Sequence, residues 1–333
     1  MNTSKNKWLI PVAFTNIYVI WGITFLAISF GLKGFPPFIL SGFRFFTAGI
    51  LILGYLLFKK REKANSFANW KKNGITGILI LTGGTGLVAW GEQYVTASEA
   101  AIAIATGPFW FIAIDKKNWK YYFSDKFIPI GLVIGFIGLI LFLNGSISSH
   151  SPITTTNSTL RITAFIVLAL SSVAWVLGSL YSKKNPANHS TFMNIAQQLI
   201  VAGIASFTIA AFRNEWTGFS ITKVPLPAWS GLLFLVVFGS IIAYLSYIWL
   251  LSVKPAALVS THTYINPIVT VIAGWIIANQ TINGNQLYGL SIILIGVLLT
   301  NVTKYVRLSK RSKVKIRRVV RHFNKINKPY QAI

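Results

Sequence analysis

Apolar positions in this chain come in long blocks, not in the spaced stripes of a water-soluble helix. Ten such runs fall at 11–31, 37–58, 74–93, 98–115, 127–144, 162–182, 191–212, 227–250, 256–278 and 286–305. Each is long enough to cross roughly 30 Å of hydrocarbon as a helix. They predict an all-α integral membrane protein of ten transmembrane helices. The run at 98–115 is short and crowded against its predecessor across Thr96, Ala97 and Ser98. The first run follows Lys5 and Lys7, as the core of a signal peptide would, yet its length and the nine runs behind it make it an uncleaved anchor.

The polar positions are most informative between Lys254 and Gln280. Pro267 sits about halfway along that run, and His262, Asn266 and Thr270 repeat at intervals of four with Thr263 alongside. A proline ring removes one helical hydrogen bond and frees a carbonyl one turn earlier, so a break is expected there. A polar stripe at helical spacing is rejected by lipid and points at a protein interior or a water-filled cavity.

The sequence also repeats itself. A shift of 154 residues superposes Trp21 on Trp175, Ala48-Gly49-Ile50 on Ala202-Gly203-Ile204, Gly77 on Gly231 and Ala89 on Ala243. At a shift of 158 or 159, Pro108 falls on Pro267 and the Gly131/Gly138 pair on Gly289/Gly296. Each half, 11–145 and 160–306, then holds five spans. Five is odd, so the second half enters the membrane from the opposite face and the two copies are inverted. Pro108 and Pro267 become symmetry mates whose helix breaks should face each other near the midplane, unless both are plain packing kinks.

Composition agrees with a membrane protein: 53% of the 333 residues are hydrophobic, 11% are charged, and the mean hydropathy is +0.60. Without a cysteine there is no disulfide, thiolate metal site or thiol nucleophile, and no cofactor or metal is expected. The net charge of +25 would suggest nucleic acid in a soluble protein, but it lies between or after the apolar runs. With an internal N-terminus, 26 basic residues fall on the cytoplasmic side and four outside, with Arg44 left inside a span. Both termini are therefore expected in the cytoplasm. The tail, 307–333, is basic and free of acids, and an anchor on the inner leaflet accounts for it without nucleic acid.

Several stretches together resemble the drug/metabolite transporter superfamily, EamA type, over residues 15–305. They are Tyr18 to Ala27 (YVIWGITFLA), Pro36-Pro37 leading to Arg44-Phe45, Gly91-Glu92-Gln93, Ala100-Ala101 through Pro108, Leu141 to Asn144, Gly239 to Ala243, and Pro255-Ala256 through Tyr264 to Pro267. The resemblance implies ten helices in a basket, a central cavity lined by spans 1, 3, 4, 6, 8 and 9, and export of small metabolites or drugs. Members often carry a glutamate just past the ninth span, where this chain has Gln280.

Candidate substrate and translocation residues follow. Glu92, with Gln93 beside it, ends the third span and fits either a titrating carboxylate or a headgroup-level acid. Glu99 reads as interfacial, and Arg44 as a structural residue whose long side chain could snorkel. His262, the only histidine inside a span, fits a proton relay or one neutral interhelical hydrogen bond. Trp21, Trp90, Trp110, Trp175, Tyr244, Tyr247 and Tyr264 lie within spans, several beside Thr24, Thr106 or Ser240. Thr263 and Asn266 flank the expected break. Aromatic walls of this kind suit apolar or cationic ligands.

The chain contains no nucleotide-binding G-x-x-x-x-G-K-[ST] loop, no G-x-S-x-G and no H-E-x-x-H. A secondary exporter of a small organic solute, with protons as possible partners, is the leading reading. An intramembrane enzyme or a non-transporting scaffold or receptor is the alternative. The expected partners are a small-molecule substrate and the lipid bilayer; substrate identity and oligomeric state are open.

Overall fold

The computed structural model describes residues 5–59, 67–116, 119, 127–148, 158–187, 190–254, 259–279, 284–285, 287–296 and 298–299. Tyr264 keeps its backbone but not its side chain in that description, and Gln280 and the tail lie outside it. The described residues are helical throughout, joined by turns and short connections. Among the described residues, seven helices are long and apolar enough to cross a membrane: Trp8–Gly31, Pro37–Phe58, Ala68–Gly91, Ala97–Ile114, Ser158–Lys184, Thr191–Phe212 and Leu226–Val253. They occupy expected spans 1–4 and 6–8, including the short fourth. Three shorter apolar helices, Pro129–Phe142, Ile265–Ala278 and Leu287–Gly296, fall where spans 5, 9 and 10 were expected. Large apolar side chains such as Phe136, Ile166, Leu233 and Trp275 stand exposed on the outer surface, as lipid-facing positions do.

Helix ends are set by local chemistry. Span 2 begins with Pro37 in its first turn, and its exposed N–H groups at Phe38 and Ile39 donate to the Glu215 carboxylate at 2.9 and 3.2 Å. Such a cap contributes about 1 kcal/mol. Span 4 opens on a capping box in which Thr96 and Glu99 satisfy each other's backbone N–H groups.

Spans 2 and 7 cross with their backbones close together. A Cβ on Gly49 would strike the Ile200 backbone, and one on Gly203 would strike the Phe46 backbone. These two contacts exchange under the 154-residue shift. The same exchange recurs between spans 5 and 10: Gly138 meets Ile293, and Gly296 meets Gly135. Only a hydrogen at those positions lets the backbones approach so closely.

The helix breaks depart from expectation in one place. Span 4 is interrupted at Ala105–Thr106, directly ahead of Pro108. Span 9, however, is interrupted at Ser260–Thr261, and Pro267 lies inside the helix His262–Ala278. Side-chain hydrogen bonds accompany both breaks, and Pro108 stands in the first turn of the restarted fourth span. Thr106 Oγ1 bonds back to the Ala103 carbonyl (2.9 Å), Thr263 Oγ1 to the Ser260 carbonyl (2.8 Å), and His262 Nδ1 meets the Val259 carbonyl (2.9 Å). Local bonds of this kind compete with the helical ladder. Pro267 falls in the second turn of the restarted helix, where its missing N–H forfeits a single bond. The two broken spans still meet: a Cβ on Gly107 would lie 3.6 Å from Thr263 Cγ2.

Candidate functional site

Three spans contain π-helical stretches, Asn16–Ile20, Ile78–Gly86 and Leu235–Ala243. A wider turn leaves carbonyls without their usual donors, and such stretches gather at functional sites. In and beside these stretches, side chains bond carbonyls across neighbouring spans. With its amide oriented to suit the surrounding carbonyls, Asn266 Nδ2 donates to Ile17 O, Tyr18 O and His262 O at 2.9–3.1 Å. Thr270 Oγ1 donates to the Gly22 carbonyl at 2.7 Å. Trp21 Nε1 donates to the Gly239 carbonyl at 3.2 Å, and Thr82 Oγ1 to the Ala202 carbonyl at 3.0 Å. Much of span 9's polar stripe therefore serves to hold span 1 to span 9.

At the centre the two tryptophans that superpose in the repeat meet edge to face. The Trp21 and Trp175 centroids are 5.2 Å apart at 88°. Trp21 also touches Tyr247 (5.1 Å) and His262 (4.9 Å). The Tyr247 hydroxyl accepts from Trp175 Nε1 at 2.9 Å and lies 2.7 Å from Ser179 Oγ, which fixes the Trp175 rotamer. Tyr244 donates to Gln198 Oε1 at 2.6 Å, and Gln198 continues to Asn73, which donates to Gln197 and Asn194. That amide network is absent from the sequence-based candidates. Two adjacent glutamines inside the apolar seventh run were its signal.

Beside this cluster lies a cavity of about 80 Å³ with walls from spans 1, 3, 4, 6, 8 and 9, and from span 2 through Arg44. Trp21, Thr24, Trp175, Tyr244, His262, Thr263 and Asn266 line it, as do Ser171, Ser172 and Ser240, which were not candidates. Tyr247 backs the wall. Arg44 does not snorkel: it is 5% exposed, its Nε donates to Ser240 Oγ at 2.8 Å, and it faces the cavity. Span 8's Ser240 offers a closer, dry partner than the outer surface.

Other candidates go elsewhere. Gln93 is exposed at the end of span 3, and Trp90 packs there on Tyr94 with the Arg213 guanidinium over its ring. Thr106 and Trp110 lie on the opposite face of span 4 and line a second, apolar pocket of about 460 Å³ with Phe109, Phe136, Phe165 and Ile166. Glu99, in the first turn of span 4, is buried and paired with Arg161 at 2.7 Å, because Arg161 sits in the first turn of span 6 against the start of span 4. Glu92 is buried too. Neither of its carboxylate oxygens has a hydrogen-bond partner among the described residues, and the charge acting on it is that of Arg44.

The chain was compared with known proteins. The model of the EamA-like transporter family matches residues 12–144 and 162–302. An uncharacterized inner membrane transporter of Escherichia coli (strain K12), YedA, is 28% identical over 305 residues, covering 90% of this chain and 93% of its own. The uncharacterized transporter YvbV of Bacillus subtilis is 24% identical over 300 residues, with 89% and 92% covered. A WAT1-related chloroplastic protein of Arabidopsis thaliana, At3g02690, is 21% identical over 289 residues, with 85% and 67% covered. One solved crystal structure superposes with a TM-score of 0.61 at 15% identity over 88% of this chain and 96% of that one, a likeness of fold alone.

Proposed function

We propose, from the premise that this chain belongs to the EamA-like transporter family, that it exports small organic metabolites, such as amino acids, related compounds or drugs, across the cytoplasmic membrane by alternating access. The observation that carries this reading is the meeting of Trp21 and Trp175, equivalent positions of two repeats, beside one central cavity. Near-equivalent halves have two near-equivalent closures, so a site between them can open to either side in turn. The residue-by-residue exchange at Gly49/Gly203 and Gly138/Gly296 supports two inverted five-helix repeats, and so does the two-segment family match. We place the repeats at 11–145 and 160–306. About 80 Å³ is well below the ~300–1,000 Å³ of ligand pockets, so loading requires the halves to move apart.

The 26-to-4 distribution of basic residues supports cytoplasmic termini. Reporters fused after Phe58 and at the C-terminus should read as cytoplasmic, and one at Ser149 as external; a cytoplasmic signal at Ser149 removes the five-plus-five arrangement.

The transport path itself is tested with single cysteines, since the chain has none. Cysteine at Ser172 or Thr263 should react with a small polar thiol reagent as the protein cycles, and transported solute should slow that reaction severalfold. Cysteine at Thr106, on the far face of span 4, should not be protected. Inert thiols at both Ser172 and Thr263 would indicate packing in place of a path.

A further inference from the structure

Arg44 is the one charged side chain lining the central cavity among the described residues. Its guanidinium is only partly engaged. Nε holds Ser240, while no ion pair reaches the terminal nitrogens: Glu99 is committed to Arg161 and Glu215 to the start of span 2. Glu92 makes no hydrogen bond to Arg44. The Phe45 ring beneath the guanidinium, 5.1 Å from Cζ, takes its face and leaves its N–H edge unspent. A Cβ on Gly239 would come within 2.8 Å of Nη2, so the glycine in span 8 makes room for the guanidinium.

A buried fork of parallel N–H donors matches a carboxylate through two hydrogen bonds and two charges, which neutral ligands cannot supply. The rest of the lining, including Phe25, Ile28, Val88 and Val176, is apolar and suits a hydrocarbon or aromatic body. An ammonium or quaternary amine without an acid group would meet an uncompensated cation in a dry wall. Charge therefore overrides the attraction that the aromatic surfaces hold for cations.

We infer that Arg44 anchors the carboxylate of the transported solute, so that the substrate class is small organic acids and amino acids with an apolar body, and not cationic drugs. This rests on the reading of the central cavity as the transport path.

The test uses the full chain purified in detergent, with thermal unfolding read against a panel of aliphatic, aromatic and amino acids, each matched with its amide. Isovalerate with isovaleramide and L-leucine with L-leucinamide are the first pairs. Acids should raise the melting temperature and their amides should not. Arg44→Lys, which keeps the charge but loses the fork, should weaken binding about tenfold, the cost of one charge-assisted hydrogen bond. Arg44→Gln should abolish the response. The unliganded melting temperature of each variant identifies a folding defect, and Ser240→Ala then serves as the milder probe, expected to weaken acid binding without removing it.

Equal stabilisation by amides, no response to any acid, or an undiminished response in Arg44→Gln would each overturn the anchor. Counterflow in proteoliposomes decides the transport reading separately. Acids that bind through Arg44 but show no flux would sink transport and keep the anchor, whereas flux of amides as fast as acids would do the reverse.

Discussion

In proteoliposomes carrying an imposed pH gradient, Glu92→Gln is expected to lose uphill accumulation of solute altogether while keeping exchange of that solute down its own gradient. Three acids sit where spans 3 and 4 join and span 7 ends, and two of them have structural employment. Glu99 caps span 4 and pairs with Arg161; Glu215 caps span 2 and lies 3.4 Å from Arg213. Glu92 has neither cap nor ion pair, and both its oxygens are buried without a hydrogen-bond partner among the described residues. Its electrostatic partner is Arg44. When Glu92 is ionised it partly offsets the charge that Arg44 presents to the cavity, and when protonated it leaves that charge unopposed. Proton binding and anion binding then favour each other, and by reciprocity each raises the affinity for the other.

The solute should therefore accumulate on the alkaline side, above the level in protein-free liposomes; from an alkaline cytoplasm, export then runs down the solute's own outward gradient and carries a proton with it. The amide keeps the shape of the carboxyl but cannot titrate, so coupling goes and passage stays. His262→Gln should do less, because His262 Nδ1 is already committed to the Val259 carbonyl. Undiminished accumulation by Glu92→Gln would clear that residue of coupling. Equal loss of uphill and downhill flux would assign it to substrate binding if the melting temperature holds, and to folding if it falls.

Seven of the expected spans were legible as membrane-length helices because length and apolarity are properties of contiguous sequence, and the glycines that the sequence shift pairs recur as backbone contacts. The breaks were legible only as a neighbourhood. Proline is the visible residue, and it marks the restart of span 4 at Pro108, but the break in span 9 lies at Ser260–Thr261, ahead of Pro267, where Thr263 bonds back three residues and a threonine in an apolar run carries no such mark. Helical phase limited the site list. Thr106 and Trp110 share a face with each other, but that face turns toward spans 5 and 6, while Ile104, Gly107 and Phe111 face the cavity. A span apolar on all sides gives no moment from which to choose. The direction of the Arg44 side chain was not legible for a related reason. Whether a long cationic side chain reaches water or stays inside depends on a partner from a distant span, here Ser240, and the sequence does not say which spans touch.

The largest stability effect is expected from parting Glu99 and Arg161. Both side chains are nearly inaccessible, at 4% and 7%, and Nη2 meets Oε1 at 2.7 Å, joining the first turn of span 4 to the first turn of span 6. Removing one partner from a buried pair strands the other charge and typically costs about 3–5 kcal/mol, whereas replacing both with neutral groups of similar size is often close to neutral. Arg161→Leu should therefore unfold at clearly lower temperature in detergent, by about 3 kcal/mol or more. Glu99→Gln keeps a side chain that can still close the capping box and removes the countercharge from the guanidinium instead, with a similar loss expected. The double variant Glu99→Gln/Arg161→Leu should recover most of the stability of the native chain, which neither single change predicts. Additive losses in the double variant, or single losses below about 1 kcal/mol, the range of an exposed pair, would mean that water reaches the pair. The capping box of Thr96 and Glu99 and packing would then contribute more than the ion pair to holding the start of span 4.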